Sequence, residues 1–127
     1  MLSSHHATLA AMHDGSRFAK LPRPPYYAVI FSSQRTCDDE AGYAATSQRM
    51  VDLVQQQPGY LGHESARDAS GFGITVAYFD SEESIAAWRD NVEHAAARRE
   101  GHRHWYEHLE LRIARVERAY GGVRREA

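Results

Sequence analysis

Four stretches of this chain carry aromatic and β-branched residues at strand spacing, and two carry apolar residues at helical spacing. Between Tyr26 and Arg35, Tyr26, Ala28, Ile30 and Ser32 fall on one face, and Tyr27, Val29, Phe31 and Ser33 on the other. Both faces are largely apolar, which predicts a strand buried on both sides. The acidic loop Cys37 to Gly42 is suited to open a helix, since negative charge favours a helix N-terminus. Tyr43, Ser47, Met50, Val51 and Val54 then recur at helical spacing, and Pro58-Gly59 is a stop. Tyr60 to Arg67 and Phe72 to Phe79 read as two strands joined by the short turn Asp68-Ala69-Ser70-Gly71, hence an antiparallel hairpin. Ile74, Val76 and Tyr78 share one of its faces; Thr75, Ala77 and Phe79 share the other. Asp80-Ser81-Glu82-Glu83 has the form of a capping box with Asp80 at the cap. It opens a helix that runs to about Arg99, with Ile85, Trp88, Val92, Ala95 and Ala96 as its apolar stripe. His102 to Glu107 is read as one further helical turn, and Tyr106 to Arg118 as the last strand.

Strand, helix, hairpin, helix, strand is the ferredoxin-like α+β order, with an antiparallel sheet. Two helices cover only one face of such a sheet. The other face here still carries large apolar residues, and a monomer rarely exposes a patch of that size. Two sheets stacked face to face, as a two-fold dimeric α+β barrel, resolve this, so the expected partner is a second copy of the chain. Residues 1–24 read as an extended arm ending in Leu21-Pro22-Arg23-Pro24-Pro25, residues 25–121 as one domain, and residues 122–127 as a solvated tail. Ala7 to Met12 is suited to a short helical turn within the arm.

Composition narrows the function classes. The formal net charge is −2, so nucleic acid is not an expected partner. The apolar runs are too short to span a bilayer, and His5, His6, His13 and Asp14 interrupt any signal-peptide core. A single cysteine excludes an intrachain disulfide and fits a reducing compartment, so a cytoplasmic location is expected. Cys37 lies among Asp38, Asp39 and Glu40 and reads as a loop thiol rather than a nucleophile. His5, His6 and His13 read as solvated side chains rather than a metal trap. His104 and His108 are four apart, but the last strand begins between them, so a shared metal is not expected. Gly71-Phe72-Gly73 belongs to a hairpin turn and not to a dinucleotide loop. No metal and no cofactor is expected.

Several residues could carry chemistry. His94 is suited to act as a base near neutrality, because the unperturbed pKa of histidine lies in that range, or else is a half-exposed histidine paired with Glu93 or a neighbouring acid. Trp105 and Tyr106 would wall an aromatic ligand, plug the end of the barrel or anchor the dimer. Arg67, Arg98 and Arg99 are either the cationic end of a pocket or surface charges. Tyr78 and Glu64 on the hairpin face a pocket in one register and not in another.

The stretches Tyr26-Tyr27-Ala28-Val29-Ile30-Phe31, Gln57-Pro58-Gly59-Tyr60-Leu61-Gly62, Ile74 to Glu83, Ala87-Trp88-Arg89 and Trp105-Tyr106 resemble the antibiotic biosynthesis monooxygenase family, over Tyr26 to Gly121. The resemblance implies a dimeric α+β barrel with a pocket between helices and sheet in each subunit. Members of that family include cofactor-free oxygenases of aromatic polyketides and haem-degrading enzymes. The resemblance implies that Trp88 is the tryptophan that lines the pocket; its spacing is equally that of a core tryptophan on the apolar stripe. In the haem-degrading branch a histidine ten residues later binds iron; here that position is Arg98, which has no lone pair to offer. The first-strand asparagine of that branch is met by Ser32 or Ser33. Haem degradation is therefore disfavoured. The resemblance implies a cofactor-independent monooxygenase of a small aromatic or quinol-like compound. Trp88, Tyr78, Trp105, Tyr106 and Ser32 would contact substrate, His94 would be the base, and Arg98 or Tyr106 would hold the anion. The alternative is a non-catalytic dimer that binds a small ligand or serves a stress response.

Overall fold

The computed structural model describes residues 17–124. The proposed turn Ala7 to Met12, the histidines His5, His6 and His13, the tail residues Arg125 and Glu126, and the Val92 side chain of the helical stripe lie outside the described part. Strands β1 (Tyr26–Arg35), β2 (Tyr60–Arg67), β3 (Phe72–Phe79) and β4 (Tyr106–Val116) form one sheet in the order β2-β3-β1-β4, with every neighbouring pair antiparallel. Helix α1 (Glu40–Val54) connects β1 to β2, and helices α2 (Glu82–Arg89) and α3 (Val92–Glu100) connect β3 to β4. A π-helical turn, Gly101–Trp105, leads directly into β4. This is the ferredoxin-like α+β arrangement, and β1 to β3 begin and end where their apolar alternation does.

Register settles which side chains share a face. Tyr27 pairs with Phe79, Phe31 with Thr75 and Leu111, and Ser33 with Gly73 and Leu109. That set lies under the helices, because Phe31 packs edge-on against Tyr106, and Tyr106 against Tyr43 of α1. Phe79 is 1% exposed and is the largest fully buried side chain of this layer. Burying a phenylalanine contributes roughly 1.5–3 kcal/mol. The opposite set is Tyr26, Ala28, Ile30 and Ser32, with Tyr78, Val76, Ile74 and Phe72 from β3. No helix covers it. Ile74 and Phe72 remain 43% and 46% exposed, so an apolar patch is open on this side.

The arm crosses part of that open face. Ala19 donates its backbone N–H to Glu64 Oε2 at 3.0 Å. Ala19 and Leu21 lie over Gly62, whose φ of +153° and missing side chain leave room for them. Tyr26 and Ala28 are both 5% exposed, while the β1–β3 centre stays half open.

Helix starts differ in detail from expectation. Asp39 caps α1 from a left-handed conformation, φ 50° and ψ 56°, tolerable because a short polar side chain bonds locally, here to the Gly42 N–H. Ser81 rather than Asp80 caps α2, accepting from the Ser84 N–H, while Asp80 accepts from the Ser84 hydroxyl. The helix expected to run unbroken to Arg99 is two helices. Asn91, at φ −59° and ψ 131°, interrupts it and caps α3 by accepting from the His94 N–H.

Candidate functional site

The break at Asn91 shapes the most distinctive geometry in the helical layer. On one straight helix, Trp88 and His94 would point away from each other. The break turns α3 back so that the indole and imidazole stack, 4.1 Å between centroids with 10° between planes. His94 Nδ1 lies 2.9 Å from the Trp88 carbonyl oxygen. A carbonyl only accepts, so Nδ1 carries the proton and Nε2 keeps its lone pair. Burial holds the imidazole below its ordinary pKa; the bond to the Trp88 carbonyl opposes this and the Arg98 charge adds to it. The neutral ring with a bare Nε2 is the form of a base.

The surroundings keep this pair in place. Glu93 does not pair with His94; it forms a two-pronged bond to Arg49 of α1, at 2.7 and 2.8 Å, which ties α3 to α1. Arg98 is exposed and donates through Nη2 to the Arg89 carbonyl at 3.2 Å, bridging α3 back to α2. Trp88, His94 and Arg98 are thus grouped at one joint.

Trp105 and Tyr106 lie elsewhere, where the π-helical turn enters β4. Trp105 is 5% exposed and donates from Nε1 to Asp39 Oδ2 at 3.3 Å, and its carbonyl accepts from the Thr36 N–H and from Arg35 Nη1. Tyr43 meets both rings edge-on, at 5.9 and 6.0 Å. Burial is the main reason the Tyr106 phenol is held above its ordinary pKa; Tyr43 reinforces this and Arg67 and Arg35 oppose it. Tyr78 and Ser32 are on the open face. The Tyr78 hydroxyl donates to Glu64 Oε1 at 2.8 Å, and burial followed by this carboxylate raises its pKa. Ser32 pairs with Ile74 and Glu110. The nominated residues therefore fall in three places: the α2–α3 joint, the start of β4, and the open face.

Among the described residues no three histidine, cysteine or acidic side chains are grouped to hold a metal ion. His104 faces Asp38 and His108 faces Glu110, in separate elements. Cys37 is an exposed free thiol. A shallow hollow of about 350 Å³ opens between α2 and β4, lined by Glu82, Glu83, Ile85, Ala86, Arg89 and Ile113. None of the nominated residues lines it. No described helix is long and apolar enough to cross a membrane.

Asn91, Tyr43 and Arg35 were not singled out from the sequence. Asp90-Asn91 amid good helix formers is the signal that would have marked the joint. Nothing local marks Tyr43 and Arg35, whose meeting depends on the packing of α1 over β1.

Comparison with known proteins matches these features to a family. The chain is 51% identical over 100 residues to the uncharacterized protein YqjZ of Bacillus subtilis, covering 79% of this chain and 87% of that one. Rv0793 of Mycobacterium tuberculosis has the same fold, with a TM-score of 0.64 at 14% identity over 75% of this chain and 99% of that one. SnoaB, a cofactor-independent oxygenase from Streptomyces nogalater, superimposes with a TM-score of 0.61 at 13% identity over 76% of this chain and 97% of that one. The antibiotic biosynthesis monooxygenase family model matches residues 26–100. With the βαββαβ sheet and the 51% identical relative, this assigns the chain to the antibiotic biosynthesis monooxygenase family.

Proposed function

We propose that the protein is a cofactor-independent monooxygenase of a small aromatic or quinol-like compound, acting as a cytoplasmic homodimer in which residues 25–121 are the working domain. The observation that carries this reading is the stacked Trp88–His94 pair with its bare Nε2. His94 takes a proton from an activated C–H or O–H of the substrate. The electron-rich anion then combines with dioxygen. One oxygen atom stays on the carbon and the other leaves as water, so a methylene becomes a carbonyl with no external electrons. Trp88 supplies a flat apolar surface, and Arg98, one turn beyond His94, supplies positive charge as the anion forms. SnoaB, which shares the fold, supports the reaction class by analogy. The open apolar face supports the homodimer.

Oxygen consumption with a panel of anthrones and hydroquinones tests the reading. A substrate is expected whose turnover falls about 10²–10⁴-fold in His94→Gln, the usual contribution of a general base. Turnover unchanged in that variant removes His94 from the mechanism. No oxygen uptake with any panel member favours the ligand-binding dimer.

A further inference from the structure

At the end of the sheet where β1 and β2 finish, two guanidinium groups approach one aromatic ring. The Arg35 Cζ lies 3.7 Å from the Tyr43 ring centroid and the Arg67 Cζ 6.0 Å from it. Neither arginine forms an ion pair among the described residues. The neighbouring carboxylates are engaged elsewhere. Asp39 accepts from the Gly42 N–H and the Trp105 indole, and Asp68 from the Ser70 hydroxyl and the Ser70 and Phe72 N–H groups. The arginines bond instead to neutral oxygens. Arg35 donates to the Trp105 carbonyl at 2.9 Å, and Arg67 donates to the Gly71 and Ser33 carbonyls and, at 3.0 Å, to the Ser33 hydroxyl. Ser33 is 2% exposed, so this hydroxyl is buried beneath the guanidinium. The seat is built for it: a Cβ on Gly73 would stand 2.7 Å from the Arg67 Cζ. Two positive charges are thus fixed, with no ion-pair partner among the described residues, beside the half-buried phenols of Tyr43 and Tyr106. Arg67 itself is exposed, so the cluster is reached from solvent.

We propose that Arg35, Arg67, Tyr43 and Tyr106 form a binding site for the anionic group of a flat aromatic compound, separate from the Trp88–His94 joint. Neutral oxygens orient the guanidiniums without neutralising them, and the anion completes the charge balance. The aromatic walls of Tyr43 and Tyr106 accept the ring that carries the anion. This is a claim about binding, so it stands or falls apart from the oxygen chemistry.

Calorimetry under nitrogen with 4-hydroxybenzoate and its neutral isostere 4-hydroxybenzamide tests it. The acid is expected to bind saturably and about tenfold or more tighter than the amide, a difference of about 1.4 kcal/mol. That preference is expected to vanish in the double variant Arg35→Gln/Arg67→Gln, and to survive in Arg35→Lys/Arg67→Lys and in His94→Gln. Arg67→Gln alone decides the matter should the double variant fail to fold, because Arg67 is exposed. Gly73→Ala keeps both charges and displaces one guanidinium, so it is expected to weaken the acid and not the amide. Equal affinity for acid and amide, absence of binding by either, or an undiminished preference in the glutamine variants overturns the proposal.

Discussion

His94 illustrates how little a residue's type says before its neighbours are known. Six residues separate it from Trp88, a spacing that puts the two rings on different sides of a continuous helix. Stacking, burial and a carbonyl on Nδ1 then combine to keep the ring neutral. The pKa direction has a consequence for stability. The unfolded chain takes up the His94 proton near pH 6.5, and the folded chain only at lower pH. The stabilisation from a neutral His94 is therefore complete above about 6.5 and is lost as pH falls through the folded-state value. An NMR titration of the His94 ring should show a midpoint below 6.5, and His94→Gln should flatten this part of the acid limb of the stability profile. A midpoint at or above 6.5 would contradict the buried, neutral ring. Tyr78 and Ser32 teach the complementary lesson. Residue type suggested pocket contacts, but both fall on the face away from the helices, since a strand alternates its sides and only the register assigns them.

At the scale of elements, the strands were the most legible part. Alternation with period two, bounded by Pro58-Gly59 and by the Asp68 to Gly71 turn, marks both ends of β2 and the start of β3. The helices were less so. Asp80 and Ser81 are both able to cap, and it is Ser81, in extended conformation, that does. The Asn91 interruption has a local signal in Asp90-Asn91, but apolar residues that continue at helical spacing on either side outweigh it. Removing that cap is a direct test of its weight. Asn91→Ala is expected to cost about 1 kcal/mol in chemical denaturation, and Asn91→Gly only a few tenths. The loss should be accompanied by a looser Trp88–His94 stack, visible as a narrower spread of aromatic NMR shifts. A cost near zero with the stack intact would mean that the Arg49–Glu93 tie, and not the cap, holds α3.

At the scale of the molecule, the ferredoxin-like class and an apolar face left open by the helices were both readable from sequence, because helices packed on one face of a sheet leave the other bare. How the arm divides that face was not. Ala19 and Leu21 occupy the β2 side, and the central residues Ile74 and Phe72 stay accessible. A second copy would therefore seat on the uncovered part. Ile74→Asp, which puts an unpaired charge there, should convert a dimer to a monomer in sedimentation equilibrium at micromolar concentration while leaving the far-ultraviolet spectrum unchanged. A wild-type chain that sediments as a monomer would refute the homodimer.

The parallel stack of indole and imidazole also gives the molecule its own optical gauge. An imidazolium quenches the emission of an indole it touches, whereas a neutral imidazole quenches little. The chain has two tryptophans, and among the described residues Trp105 meets the Tyr43 ring and no histidine ring. In a Trp105→Phe variant the remaining fluorescence should dim as acid is added, with a midpoint equal to that of the ring. Brightness would then report, without a label, whether His94 is charged.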